Sequence, residues 1–171
     1  SEFENIRKRL NEICAAASHS SKPVYIDAEE TWIQPAIDSL AEEMMKKYNV
    51  QRPIVLTTLQ MYRHDRLDYL KKLIENSKRE KYVLGVKIVR GAYIEKENKR
   101  AMDLGYPSPI NPTKQKTDSD YNEAMKIIVA NFDNVELCAG THNEESCMVV
   151  MNEMKKCGHP NNHPRIWFSQ L

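Results

Sequence analysis

The chain has 171 residues, enough for one domain with a real core. Its 25 basic and 24 acidic residues leave a net charge of +1, and no run of Lys and Arg is long enough to form a nucleic-acid stripe, which sets nucleic acid aside as a partner. The longest apolar runs, Ile127 to Ala130 and Cys147 to Met151, fall far short of the roughly 20 residues a bilayer span needs, so the chain reads as soluble.

Cys14, Cys138, Cys147 and Cys157 have neither CxxC spacing nor a secreted-domain pattern. They read as reduced thiols in a reducing compartment, and a structural zinc is not expected. No basic-then-apolar leader opens the chain, and Ser1-Glu2-Phe3 reads as a cloning scar ahead of native sequence.

In chain order, Phe3, Ile6, Leu10 and Ile13 predict an amphipathic helix. Short apolar runs at Val24 to Asp27, Ile54 to Leu59, Tyr82 to Val89, Val135 to Ala139 and Arg165 to Phe168 suit strands buried on both faces. Helical stripes fill the gaps: Ile33, Ile37, Leu40, Met44 and Met45, then Leu67, Leu70, Leu73 and Ile74, then a helix from Glu95 to Leu104. Thr117-Asp118-Ser119-Asp120 offers an N-cap ahead of Tyr121, Met125, Ile128 and Val129, and a last helix covers Glu144 to Lys156, closed by Gly158.

Strand starts near 24, 54, 82, 135 and 165 are mostly one βα unit apart, and the long interval holds the irregular proline-rich stretch Gly105 to Pro112. Both a doubly wound sheet and a (βα)8 barrel fit this repeat. The polar residues separate them. Asp27-Ala28-Glu29-Glu30, Thr57-Thr58-Leu59-Gln60, Arg90-Gly91-Ala92-Tyr93, Thr141-His142-Asn143 and Ser169-Gln170 all follow a strand, which predicts one shared barrel mouth. A whole barrel needs eight strands and roughly 250 residues. The chain supplies about five βα units.

Each polar group also has a structural reading. Glu29 and Glu30 suit capping of the helix that begins near Thr31, whereas Asp27, directly after Val24-Tyr25-Ile26, is the better functional candidate. Lys87 and Arg90 are three positions apart, so strand alternation lets only one of them face the barrel interior. Lys87 shares its face with Val89 and Gly91, and a cation there needs an anionic or electron-rich partner; Arg90 suits a solvated or ion-paired site equally well. Thr141 or Asn143 suits an N-cap, but the three polar residues at 141 to 143 together also suit a diphosphate over a helix N-terminus. His19, His64, His159 and His163 read as surface groups, and no spacing suggests a metal site or an acyl-transfer triad.

Taken in order, Ile26-Asp27-Ala28-Glu29-Glu30, Leu59-Gln60-Met61-Tyr62, Lys87-Ile88-Val89-Arg90-Gly91-Ala92-Tyr93, Gly105-Tyr106-Pro107 with Thr117-Asp118-Ser119-Asp120-Tyr121, Thr141-His142-Asn143 and Phe168-Ser169-Gln170-Leu171 resemble the proline dehydrogenase family. Each motif is weak alone; their order and gaps make the match specific over about residues 22 to 171.

The resemblance implies a flavin-dependent (βα)8 barrel that oxidises L-proline to Δ1-pyrroline-5-carboxylate by hydride transfer to FAD, with a quinone as electron acceptor. By matching positions, Gln60, Lys87, Val89, Gly91 and Ala92 would contact the flavin, and Thr141, His142 and Asn143 its diphosphate and adenosine. Asp27, Ile88, Tyr93 and Leu171 would surround the substrate, with Asp27, Lys87 and Tyr93 as the catalytic set. It also implies a cytoplasmic or peripheral inner-membrane location in bacteria and a mitochondrial one in eukaryotes, with membrane contacts in segments outside this chain.

Two departures matter. Many members carry Arg then Lys where this chain has Lys87 then Arg90, and Lys lacks the planar fork of Arg. The family's substrate-gripping arginines, its first barrel strand and its closing strands also lie outside residues 1 to 171, so the chain is expected to be a central fragment. Asp27 would then organise an arginine supplied from elsewhere. The alternatives are a related enzyme acting on another cyclic imino acid, as in carbapenem biosynthesis, and a non-catalytic interaction module.

Overall fold

The computed structural model describes residues 2–170. Six helices and five strands alternate: α1 (Glu2–His19), β1 (Val24–Ile26), α2 (Gln34–Tyr48), β2 (Val55–Gln60), α3 (Arg66–Glu80), β3 (Leu84–Val89), α4 (Ile94–Leu104), α5 (Lys114–Val129), β4 (Val135–Gly140), α6 (Glu144–Lys156) and β5 (Ile166–Ser169). Every strand pair is parallel and the sheet order is β1-β2-β3-β4-β5. Strands that neighbour each other in sequence also neighbour each other in space. Right-handed crossovers then leave all the helices on one side, which is the winding of a barrel and not of a doubly wound sheet.

The core fills the space between sheet and helices. Val55, Leu59, Leu84, Val86, Ile88, Val135, Leu137 and Ala139 alternate along their strands and meet Met44, Met45, Leu70, Leu73, Met125 and Ile128 from the helices. No helix among the described residues is long and apolar enough to cross a membrane.

Three local expectations shift. Helix α5 begins a turn earlier than its apolar pattern: Thr113 is the N-cap, its hydroxyl accepting from the Lys116 N–H at 3.1 Å. Thr117 lies inside the helix. The cap was masked because the first turn, Lys114 to Lys116, is wholly polar. Glu29 and Glu30 do not cap α2 with their side chains, since that helix starts at Gln34 behind an uncapped Ile33, with Pro35 in its first turn. In α1, Phe3, Ile6 and Ile13 are exposed, whereas Leu10, Cys14 and Ala17 face inward. Burial pushes the Cys14 thiol up to about 11, so it is protonated and inert at neutral pH. His159 and His163 are not free surface groups either: both rings pack on Phe132, His163 stacked at 4.7 Å and 11°.

Asn49, fully buried just after α2, joins that helix to two strands. Its amide donates to the carbonyls of Val55 at 2.8 Å and Val83 at 3.0 Å, and its Oδ1 accepts from the N–H groups of Ile54 and Val55, both at 2.8 Å. Every hydrogen-bonding position of the amide is used. Asn49→Leu is expected to lower stability by about 3 kcal/mol or more, because several buried backbone groups lose their partner together. A urea midpoint unchanged within about 0.5 kcal/mol would show that the strands satisfy those groups without it.

Candidate functional site

Parallel register aligns equivalent positions of neighbouring strands, so residues two apart form rows on the face turned away from the helices. One row runs Thr58, Lys87, Cys138 and Trp167, with Asp27 extending it beyond β1. The row nearest the mouth is Gln60, Val89, Gly140 and Ser169. Gly140 has no space for a side chain, since a Cβ there would lie 2.9 Å from Val89 Cγ1.

The Lys87 ammonium reaches Asp27 Oδ1 at 2.5 Å and lies 5.7 Å from the Tyr25 ring centre. Thr58 donates to the same carboxylate oxygen at 3.2 Å. The cation therefore does have the anionic partner its place on the strand required. Asp27 pairs within this chain, although its side chain remains 64 % exposed and open to further partners.

Beyond the strand ends, the loop after β1 is fastened from several sides. Gln60 donates to the Glu29 carbonyl at 2.8 Å, and the Glu29 N–H donates to Gln34 Oε1 at 3.1 Å. The Tyr93 hydroxyl donates to Glu29 Oε2 at 3.0 Å. That hydrogen bond to an anion raises the Tyr93 pKa above the ordinary phenol value and keeps the hydroxyl protonated at neutral pH. Glu30 pairs with Lys96 instead of capping a helix.

Gly91 adopts φ +126°, where L side chains rarely go, and a Cβ there would lie 2.6 Å from the Tyr62 ring. The break after β3 is thus required by backbone and ring together. It leaves Ala92 exposed and turns Tyr93 toward Glu29.

Arg90 faces away from the row of Lys87. Its guanidinium reaches Asp118 at 2.6 Å, Thr141 Oγ1 at 2.9 Å and Ser146 Oγ at 3.0 Å, and lies 4.3 Å from the Tyr121 ring centre. One side chain thereby ties the exit of β3 to α5, to the exit of β4 and to the first turn of α6. Lys114, with Arg90, holds the Asp118 carboxyl below the usual carboxylate range, so both pairs are ionised at neutral pH.

Thr141 Oγ1 also accepts from the Asn143 N–H at 3.0 Å, and Asn143 caps α6 by accepting from the Ser146 N–H at 3.0 Å. Thr141 and Asn143 therefore shape the turn. His142 between them is exposed.

Of the residues expected at the site, the structure gathers Asp27, Gln60, Lys87, Val89, Gly91, Ala92, Tyr93, Thr141, His142 and Asn143 along one rim. It does not bring Ile88 there. Ile88 is fully buried in the core between sheet and helices, on the face opposite Lys87. Leu171 lies outside the described residues. Thr58 and Asp118 stood in the polar runs and motifs of the sequence without a role of their own; Glu97 was missed, although it shares one helical face with Ala101 four residues on.

Comparison with known proteins gives the family and the fold. The family model described as "Proline dehydrogenase" matches residues 2–171. Proline dehydrogenase 1, mitochondrial, of Homo sapiens is 33% identical over 168 residues, which cover 96% of this chain and 28% of the human protein. The carbapenem antibiotics biosynthesis protein CarD of Pectobacterium carotovorum subsp. carotovorum is 34% identical over 172 residues, covering all of this chain and 43% of that protein. Among solved structures, proline utilization A (PutA) from Bdellovibrio bacteriovorus, inactivated by N-propargylglycine, superposes with a TM-score of 0.92 at 20% identity, over 99% of this chain and 18% of that one. The chain thus spans well under half the length of these relatives and has the fold of part of a TIM-type barrel. Five sequential parallel strands with their polar ends at one mouth, and a family match over the whole described length, lead to one assignment: the chain belongs to the proline dehydrogenase family.

Proposed function

We propose that this chain is the central, flavin-holding part of an FAD-dependent proline dehydrogenase, which oxidises L-proline to Δ1-pyrroline-5-carboxylate and passes electrons to a quinone. The observation that carries the reading is the Asp27–Lys87 pair on the concave face, one row below the mouth. A cation at that depth, beside Gln60 as amide donor and with the exposed His142 at the start of α6, is a donor set suited to a planar ring with an anionic tail. The residues present therefore fit a flavin dinucleotide.

Bound there, the flavin supplies a two-electron acceptor for hydride, and the protein supplies binding, orientation and electrostatics. Lys87, held by Asp27, would supply positive charge to a bound flavin and so favour the added negative charge of hydride acceptance. Tyr93, kept protonated by Glu29, would present a neutral phenol to the substrate. Val89 and Gly140 form a low apolar floor, and Gly91 and Ala92 keep the approach over it clear. Thr141, His142 and Asn143, braced by Arg90, hold the diphosphate. Ile88 supports the strand from behind and has no proposed contact with substrate.

The intact protein would supply the remaining barrel strands and the arginines that grip the substrate carboxylate. Mitochondrial relatives suggest an organellar setting in a eukaryotic host, and any membrane contact would come from other segments. The 34% identity to CarD favours one second reading, action on another cyclic imino acid. Rates on proline, hydroxyproline and a carbapenam separate the two, and a purified protein with no flavin colour would favour a non-catalytic module over both.

The intact protein is expected to bind FAD, with Lys87→Met and His142→Ala each weakening it about tenfold through loss of a cation or donor facing an anion. An absence of flavin absorbance after reconstitution would refute this. Asp27→Ala should cut proline turnover on the order of 100-fold, equivalent to about 3 kcal/mol, while flavin content stays within about twofold, because the carboxylate orients cations more than it binds the ring. Parallel loss of flavin and turnover would make Asp27 a structural residue. The 171-residue chain alone should not oxidise proline, since five of eight strands cannot close a barrel; a monomer on size-exclusion chromatography that reduces a dye with proline would overturn the fragment reading.

A further inference from the structure

We infer that Glu97 is a positioning residue for this site: its carboxylate pins the loop after β1 through Thr31, and so sets where Asp27 and Glu29 stand at the mouth. The inference rests on the function proposed above.

Helix α4 is joined to the rest of the fold in an unusual way. Its only fully buried residues are Glu97 and Ala101. Glu97 has no exposed surface at all, yet it carries a carboxylate. A buried carboxylate is tolerated only where hydrogen bonds replace its water. Those bonds both come from one residue across the mouth: the Thr31 N–H donates to Oε1 at 2.7 Å and the Thr31 hydroxyl donates to Oε2 at 2.6 Å. Both oxygens are engaged with a single loop residue, in a fork that fixes its distance and its rotation.

The surrounding contacts are weaker. Lys96 pairs with Glu30, and Arg100 and Lys96 lie 4.2 Å and 5.5 Å from the Trp32 ring centre. Lys96 and the Trp32 ring are substantially exposed, so water and salt compete with these pairs. Among the contacts that α4 makes to the loop, Glu97 supplies the buried one; the buried Gln60 and Gln34 hold the same loop at Glu29 from β2 and α2.

The loop it fastens carries the groups that matter at the rim. Asp27 opens it and pairs with Lys87; Glu29 accepts from Tyr93 with its side chain and from Gln60 with its carbonyl. Asp27, Glu29 and Thr31 lie within five residues of chain, so the Thr31 anchor limits how far the first two can move. Freed at Thr31, the loop would keep its ties at Glu29 to Gln60, Gln34 and Tyr93 but lose the one that fixes its far side, so Asp27 would hold its place beside Lys87 less firmly, while Lys87 and the residues at 141 to 143 stay on their strands. Substrate binding should therefore loosen before flavin binding does.

The test uses the intact protein with FAD bound and compares Glu97→Gln, Thr31→Val and Thr31→Ser. Gln keeps the shape but turns a donor toward Thr31, Val removes the hydroxyl, and Ser retains both bonds. Glu97→Gln is expected to lower kcat/KM for proline about tenfold with flavin content within about twofold, and to speed hydrogen exchange in the peptide covering residues 28 to 33 by about tenfold, with strand peptides unchanged. Thr31→Val should move the same readouts part of the way, and Thr31→Ser should behave as wild type. Unchanged kcat/KM and exchange in Glu97→Gln, or flavin loss in step with activity, would overturn the inference. If the wild-type protein does not oxidise proline, the proposed function fails, and the exchange comparison still decides whether Glu97 holds the loop. If Glu97→Gln does not fold, the Thr31→Val and Thr31→Ser pair decides by the same measurements.

Discussion

The period-two alternation of a parallel sheet governs everything at this site. Because the strands are in register, each position chosen to face the helices commits its neighbours to face the other way. Val86 and Ile88 buried in the core force Lys87 onto the concave face, and Thr57 and Leu59 do the same for Thr58. A one-residue slip of β3 would exchange Lys87 with Ile88, burying an ammonium among methionines and leucines and placing an isoleucine opposite Asp27. The desolvation cost of that exchange is several kcal/mol, far above the differences that decide ordinary strand pairing. Core and site therefore select the same register.

Charge at the mouth is handled by pairing across elements. Lys87 meets Asp27 just past β1, Arg90 meets Asp118 from α5, and Tyr93 meets Glu29 from the first loop. Each pair joins segments far apart in the chain. Asn49 does the same work at the other end of the sheet, where β2 and β3 begin. A related chain between α2 and the start of α3, Gln34 to Asp38 to Arg66 to Asp65, carries the same pattern to the outer helices.

Much of this was legible in the sequence because the signals were local. Five apolar runs at βα spacing gave the strands within one or two residues, and polar residues after each run gave a common mouth. Lys87 was separable from Arg90 by counting alternation alone. What was not legible depends on partners. That Arg90 would serve Asp118, Thr141 and Ser146 at once needs three elements folded around it. Thr113 was hidden because a polar first turn has no periodicity, and Glu29 looked like a helix cap because nothing in its neighbourhood reveals Tyr93, sixty-four residues on. Ile88 shows the opposite error. The family resemblance put it beside the substrate, while alternation already placed it on the face opposite Lys87.

The shallow seating of α4 has a consequence for how the family can vary. Met102 and Leu104 near its end are exposed, as is Tyr106 just beyond it. Substitutions there leave the core untouched, so the outer face of α4 is free to drift, to acquire charge or to meet another part of a longer chain. Positions 97 and 101 have no such freedom, because a change at either alters the one buried seam between helix and rim. Helix α4 is therefore a place where new attachments can be added to an old barrel without redesigning its mouth, provided that two of its eleven residues stay as they are.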